Sequence, residues 1–127
     1  MNQEEYTAEL ARLLECLRLL DRRIEEARRH GLPARGQWRS LKNQKLTAVF
    51  AVAELLKRMQ DAPGVKFKIA CEDAGMTFQY AYAHLWMLEE FGNADKVRAA
   101  GIASGGMAMK AAADMRRARR AQMAAVA

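Results

Sequence analysis

The stretch CEDAGMTFQYAYAHLWMLEEFG, residues 71–92, reads as two helices joined by a tight corner. Gly75 tolerates the positive φ that ends the first helix, and the Thr77 hydroxyl can cap the exposed N–H groups of the second. Two helices meeting at such a corner approach closely, so their facing positions must be small. Ala70, Cys71, Ala74 and Ala81 are small and correctly spaced, and Met76 and Leu85 close the little core. Gly92 ends the second helix, which is expected over residues 78–91.

This is the outline of a helix-turn-helix, the unit that lays a helix in the DNA major groove. The second helix, however, carries no Lys or Arg, and its aromatics include Phe78, Tyr80, Tyr82 and Trp86. Its outer face is expected to present Thr77, Phe78, Gln79, Tyr82, Ala83 and Trp86. Thr77 and Gln79 have polar groups suited to base edges, Phe78 can touch a thymine methyl, and Tyr82 can donate to a phosphate. The alternative is that these aromatics form core and a protein interface, since buried Trp and Tyr are common anchors there.

Outward from the corner, the chain organises into helices. Tyr6, Leu10, Leu13, Leu17, Leu20, Ile24 and Ala27 recur at alternating spacings of four and three, predicting a helix from Gln3 to Arg29 with a heptad seam. Gly31 and Pro33 stop it. Ser40 is expected to cap a second long helix over residues 41–60, apolar around much of its circumference. The pair predicts an antiparallel hairpin, with the remaining helices or a second subunit covering the rest of its apolar surface. DAPG, residues 61–64, breaks the chain. Short helices are expected over 65–74 and 94–100, and a last one from about Gly106. The fold class is therefore all-α: a hairpin over 1–62 that serves as a homodimerisation unit, a helix-turn-helix-like bundle over 63–113, and a basic Ala/Arg-rich tail over 114–127.

The net charge of +6 is uneven. Residues 1–21 and 65–95 each carry −3, whereas 22–64 and 96–127 each carry +6. That asymmetry points to an acidic partner, nucleic acid first, against the plainer reading of a solvated surface. Phosphate contacts are assigned to Lys66 and Lys68 and to the tail cluster Arg116, Arg117, Arg119 and Arg120. Those four arginines alone imply a log–log salt slope of about −3.6, near −0.9 each. A second basic patch, at the hairpin tip, comprises Arg28, Arg29, Arg35, Arg39, Lys42 and Lys45, with His30 among them.

EDAGMTFQYAYAHLWM resembles the helix-turn-helix segments of bacterial plasmid and phage DNA-binding proteins, including the ParB/KorB-like class. The shared run is an acidic helix end, Gly, a hydrophobic residue, Ser/Thr, then Ala-Tyr in the second helix. VRAAGIASGGMAMKAAA is similar to their continuation, where a short G-I segment opens the next helix. The resemblance spans residues 65–113 and leaves the N-terminal hairpin unexplained. It implies a small regulator or partition-type protein that binds double-stranded DNA; with the hairpin as dimerisation unit, the expectation is a cytoplasmic homodimer that acts without catalysis. His84 departs from the pattern, which usually has a large apolar residue there; it reads as a satisfied core histidine. The usual Arg for guanine is missing, and Glu89, Glu90 and Asp95 would repel phosphates they faced.

Other chemistry is absent from the sequence. His30 and His84 have no partner at metal-ligand spacing, Ser40 and Ser104 have no activating neighbour, and GIASGG lacks the Lys-Ser/Thr ending of a phosphate loop. The adjacent pairs Glu25/Glu26 and Glu89/Glu90 diverge on their helices. No catalytic residue, metal site or cofactor is expected. Cys16 and Cys71 read as buried thiols in a reducing cytoplasm. The N-terminus is too acidic for a signal peptide, and no apolar run reaches the roughly 18 residues of a membrane span. The alternative to a DNA regulator is a phage or plasmid inhibitor or adaptor, binding a host protein through the aromatic helix and the basic patches.

Overall fold

The first helix is set by its ends. Asn2 and Glu5 form a reciprocal capping box: Asn2 Oδ1 accepts from the Glu5 N–H at 2.9 Å, and Glu5 Oε1 accepts from the Asn2 N–H at 3.2 Å. Acids Glu4 and Glu5 fill the first turn and Arg28, Arg29 and His30 the last, each complementing the helix dipole. A computed structural model describes residues 1–31 and 35–126. Within them the chain is all-α: α1 Gln3–His30, α2 Arg35–Asp61, α3 Phe67–Asp73, α4 Phe78–Phe91, α5 Ala94–Ala99 and α6 Gly105–Val126. The stop signal assigned to Pro33 lies outside the described residues.

Helices α1 and α2 run antiparallel. Asp21 on α1 meets Lys45 on α2 at 2.5 Å, and Gln3 at the start of α1 accepts the Lys66 N–H beyond the end of α2 at 3.0 Å. The α1 seam is only partly covered in this packing: Leu10, Leu17 and Ala27 are buried against the rest of the chain, whereas Tyr6, Leu13, Leu20 and Ile24 are half-buried. The stripe on which a homodimer was expected thus packs in part on α2 and α3 of its own chain. The apolar circumference of α2 is likewise covered from within. Val49, Phe50, Val52, Ala53, Leu55 and Leu56 are all buried, with α1, α4, α5 and α6 packed around them.

Helix α2 begins six residues before the expected start at Leu41. Ser40 is therefore no cap; its hydroxyl lies inside the helix, 3.4 Å from Gln44 Nε2. Residues 35–39 contain only one weak helix former, Gly36, and Trp38 is half-buried against the chain, which is enough to extend the helix. After Gly64, at φ +76°, α3 starts at Phe67 with no side-chain cap.

Asn93 caps α5 through the Lys96 N–H at 2.9 Å, and Ser104 accepts the Met107 N–H at 3.2 Å to open α6. Gly105 lies hard against α2. A Cβ built there would sit 2.9 Å from Val49 Cγ1. From that contact α6 runs unbroken to Val126, so residues 114–126 continue the helix, exposed except at the half-buried Arg116.

Candidate nucleic-acid interface

The corner between α3 and α4 is built as its residues require. Gly75 adopts φ +91°, and its N–H donates to Glu72 O at 3.0 Å. Thr77 Oγ1 accepts from the Tyr80 N–H at 3.2 Å, capping α4. Ala70, Cys71 and Ala81 are wholly buried, with Ala74, Met76 and Leu85 nearly so. Burial also pushes the Cys71 thiol up to about 11, so it is a packing group and not a nucleophile at neutral pH.

Thr77 and Gln79 are exposed at the first turn of α4, as expected. Phe78, Tyr82, Ala83 and Trp86 are not. They are half-buried, because the rings pack on one another. Phe78 and Tyr82 meet edge-on at 4.7 Å, Phe67 and Tyr82 at 6.1 Å, and Tyr82 and Trp86 at 6.2 Å. A cation closes each end of this ladder: Lys68 Nζ lies 5.6 Å from the Phe78 ring and Arg116 Cζ 4.8 Å from Trp86. Gln60 on α2 donates to the Tyr82 hydroxyl at 3.4 Å. The ladder thus secures α4 to α2, α3 and α6, and leaves its polar first turn in solvent.

The ring that projects is Tyr80, which sequence reading did not place on the outer face; it is 48% exposed. It overhangs a groove of about 400 Å³ bordered by Leu14, Leu17 and Val49, with Arg18, Asp21 and Lys45 on the rim. A second groove, of about 380 Å³, runs between Lys68 and Glu72 on α3 and Phe78 and Gln79 on α4.

His84 is fully buried under Tyr80. Its Nδ1 is 2.8 Å from the Tyr80 carbonyl, which can only accept, so Nδ1 carries the proton. Nε2 is then a buried acceptor with no partner. The histidine is core, as expected, but only half satisfied. Burial lowers its pKa below the usual imidazole value, outweighing the hydrogen bond to Tyr80.

The tail arginines are not the open cluster that was expected. Arg116 pairs with Glu89 at 3.1 Å, Arg119 with Glu90, and Arg117 with Asp114. Of the acids expected to repel phosphates, Glu89 and Glu90 face α6 and pair with two of its arginines, while Asp95 pairs with Arg98 on α5. Arg120 borders a groove shared with Glu89, Glu90, Arg116 and Arg119, without a carboxylate partner of its own among the described residues. Lys66 and Lys68 are both exposed; Lys68 lies beside α4, over Phe78, whereas Lys66 stands at the start of α3 with its N–H bonded to Gln3 of α1.

At the tip of α1 and α2, Arg28 and Arg29 share Glu25 at 3.7 Å, and Lys45 holds Asp21. Such exposed pairs contribute little and exchange readily. Lys42 lies on the Trp38 ring at 4.6 Å, and Arg35 and Arg39 have no carboxylate partner among the described residues. Arg98, on α5, also escaped sequence reading. It donates to Asn43 O at 3.0 Å and Thr47 Oγ1 at 3.2 Å, pinning α5 to α2.

Among the described residues no cluster of three His, Cys, Asp or Glu is placed to hold a metal ion, and no helix is long and apolar enough to cross a membrane. Compared with protein-family models, curated proteins and solved structures, the chain finds no match in any of the three.

Proposed function

We propose that the chain is a small, non-enzymatic DNA-binding protein, a transcriptional regulator or partition-type factor, in which α3 and α4 act as a helix-turn-helix. The observation that carries this reading is the first turn of α4. Thr77 and Gln79 stand exposed at the N-terminal end of a helix held rigidly from behind, where recognition helices carry their base-reading residues. Gln79 suits the N6/N7 edge of adenine, and Thr77 suits several bases. Lys68 borders the groove beside that turn and Lys66 opens α3; in this reading both supply backbone contacts, which position the helix and carry no sequence information. With Phe78 and Tyr82 engaged in the aromatic ladder, specificity narrows to those two side chains. With Arg116 and Arg119 engaged by Glu89 and Glu90, the affinity shifts from the tail toward Lys66 and Lys68.

Selection from a genomic DNA pool at physiological salt tests the proposal. An enriched site is expected, and Gln79→Ala should relax its discrimination at one or two base pairs by about 1–3 kcal/mol. Recovery of no enriched site would reject it. A second reading, a host-protein inhibitor or adaptor, is favoured by Tyr80 alone: an exposed ring above a groove bordered by Leu14, Leu17 and Val49 has the make-up of an interface anchor. Under that reading Tyr80→Ala abolishes capture of a partner protein, and Gln79→Ala changes nothing.

A further inference from the structure

Residues 22–45 hold eight Lys or Arg against two Glu, at the end of the α1–α2 pair. In the middle of this charge stands one aromatic, Trp38. Its indole separates two grooves. One, of about 420 Å³, has Trp38 as a wall and Leu46 and Ile102 as apolar lining, with Arg39 and Lys42 at its border. The other, of about 290 Å³, lies between Trp38 and Ala27, with Arg28 and Arg35 at its border. Cations therefore flank the ring on both sides. The larger groove is also built to hold its shape. Arg98 ties α5 to α2 through Asn43 and Thr47, and its Nη1 is fixed by Asp95 at 2.9 Å. With Oδ1 accepting from Arg98 Nε at 3.3 Å, Asn43 keeps its NH₂ as a donor beside the apolar lining. No residue of α4 borders either groove.

An aromatic wall, an amide donor and cations on both sides are the elements that hold an unpaired base and its neighbouring phosphates. Duplex DNA presents phosphates but keeps its base faces stacked, so it has no use for the indole. The carboxylates of an acidic polypeptide offer charge but no aromatic face. We propose that this end of the α1–α2 pair is a second nucleic-acid site, which takes a single strand by stacking one base on Trp38 while Arg39 and Lys42 on one side and Arg28 and Arg35 on the other hold the flanking phosphates. Lys42 now occupies the ring face at 4.6 Å. Its long side chain swings to a phosphate as the base takes its place. The site is independent of the helix-turn-helix reading of α4 and stands or falls separately.

The test is fluorescence anisotropy with a labelled oligothymidylate of about ten nucleotides and, in parallel, a hairpin duplex, both at low salt. The wild type should bind the single strand. Trp38→Ala should weaken that binding about tenfold or more, with a much smaller effect on the duplex, and Trp38→Phe should restore most of it. Arg39→Gln with Lys42→Gln should flatten the single-strand salt slope by about 1.4, at about 0.7 per contact. Gln79→Ala should leave the single strand untouched, so failure of the α4 reading and failure of this one are distinguishable. Should Trp38→Ala unfold, the intact indole gives the same answer. In a Trp86→Phe background the remaining tryptophan fluorescence should be quenched by the strand. Absence of single-strand binding, an unquenched Trp38, an equal loss for strand and duplex in Trp38→Ala, or polyglutamate binding as tightly at equal charge would each overturn the proposal.

Discussion

Gly105→Ala tests the packing that places α6, and with it the Arg116 guanidinium over Trp86. The glycine is buried in the first turn of α6, and an added Cβ would meet three atoms of Val49: Cγ1 at 2.9 Å, Cγ2 at 3.1 Å and Cβ at 3.3 Å. Val49 cannot easily yield. It is 3% exposed and β-branched, with one strongly preferred rotamer in a helix. Overpacking of this kind costs about 1–3 kcal/mol. The gain in helix propensity on replacing Gly by Ala is about 0.5–1 kcal/mol, so overpacking wins and the variant should be destabilised by about 1–2 kcal/mol. Its neighbour is the control. A Cβ on Gly106 meets nothing within 4 Å, so Gly106→Ala should stabilise by about 0.5–1 kcal/mol. Urea unfolding followed by circular dichroism reads both. Removing the obstruction should couple the sites: Val49→Ala is costly alone, but Gly105→Ala added to it should cost nothing further. A Gly105→Ala variant as stable as Gly106→Ala, or full additivity with Val49→Ala, would refute the close contact.

Three further outcomes are expected. Because His84 is buried neutral and its folded pKa is lowered, the unfolded chain binds the proton first as pH falls; its contribution to stability is intact above about 6.5 and is lost below that toward the folded pKa, a slope that His84→Phe should abolish in unfolding curves between about pH 7.5 and 5. Gly75→Val forces a β-branched residue to φ +91° and should lower stability by more than about 1 kcal/mol, seen as a reduced urea midpoint; an unchanged midpoint would contradict the corner. Arg119→Met removes the partner of Glu90, a carboxylate only 10% exposed, and should cost about 1 kcal/mol or more, whereas Arg117→Met, on an exposed pair, should fall within about 0.5 kcal/mol.

What the sequence determined by itself was local. The Gly75 corner, the Thr77 cap, the Gly92 stop and the small residues at the α3–α4 contact each act within a few positions along the chain, so spacing alone reveals them. The all-α class follows from the same short-range preferences, together with the apolar periods of α1 and α2. Partnership was another matter. Periodicity marks the α1 seam without naming what covers it, and only packing shows that α2 and α3 cover part of it. Charge counts mark Arg116 and Arg119 as a basic tail; only the docking of α6 on α4 brings Glu89 and Glu90 against them. The aromatics of α4 read as an outer face until three other helices supply Phe67, Gln60 and Arg116 to hold them. The groove beside Trp38 needs α5 pinned to α2 by Arg98, 55 residues from Asn43 in sequence. Interactions of that range depend on how helices are arranged in space, and a one-dimensional pattern carries no term for them.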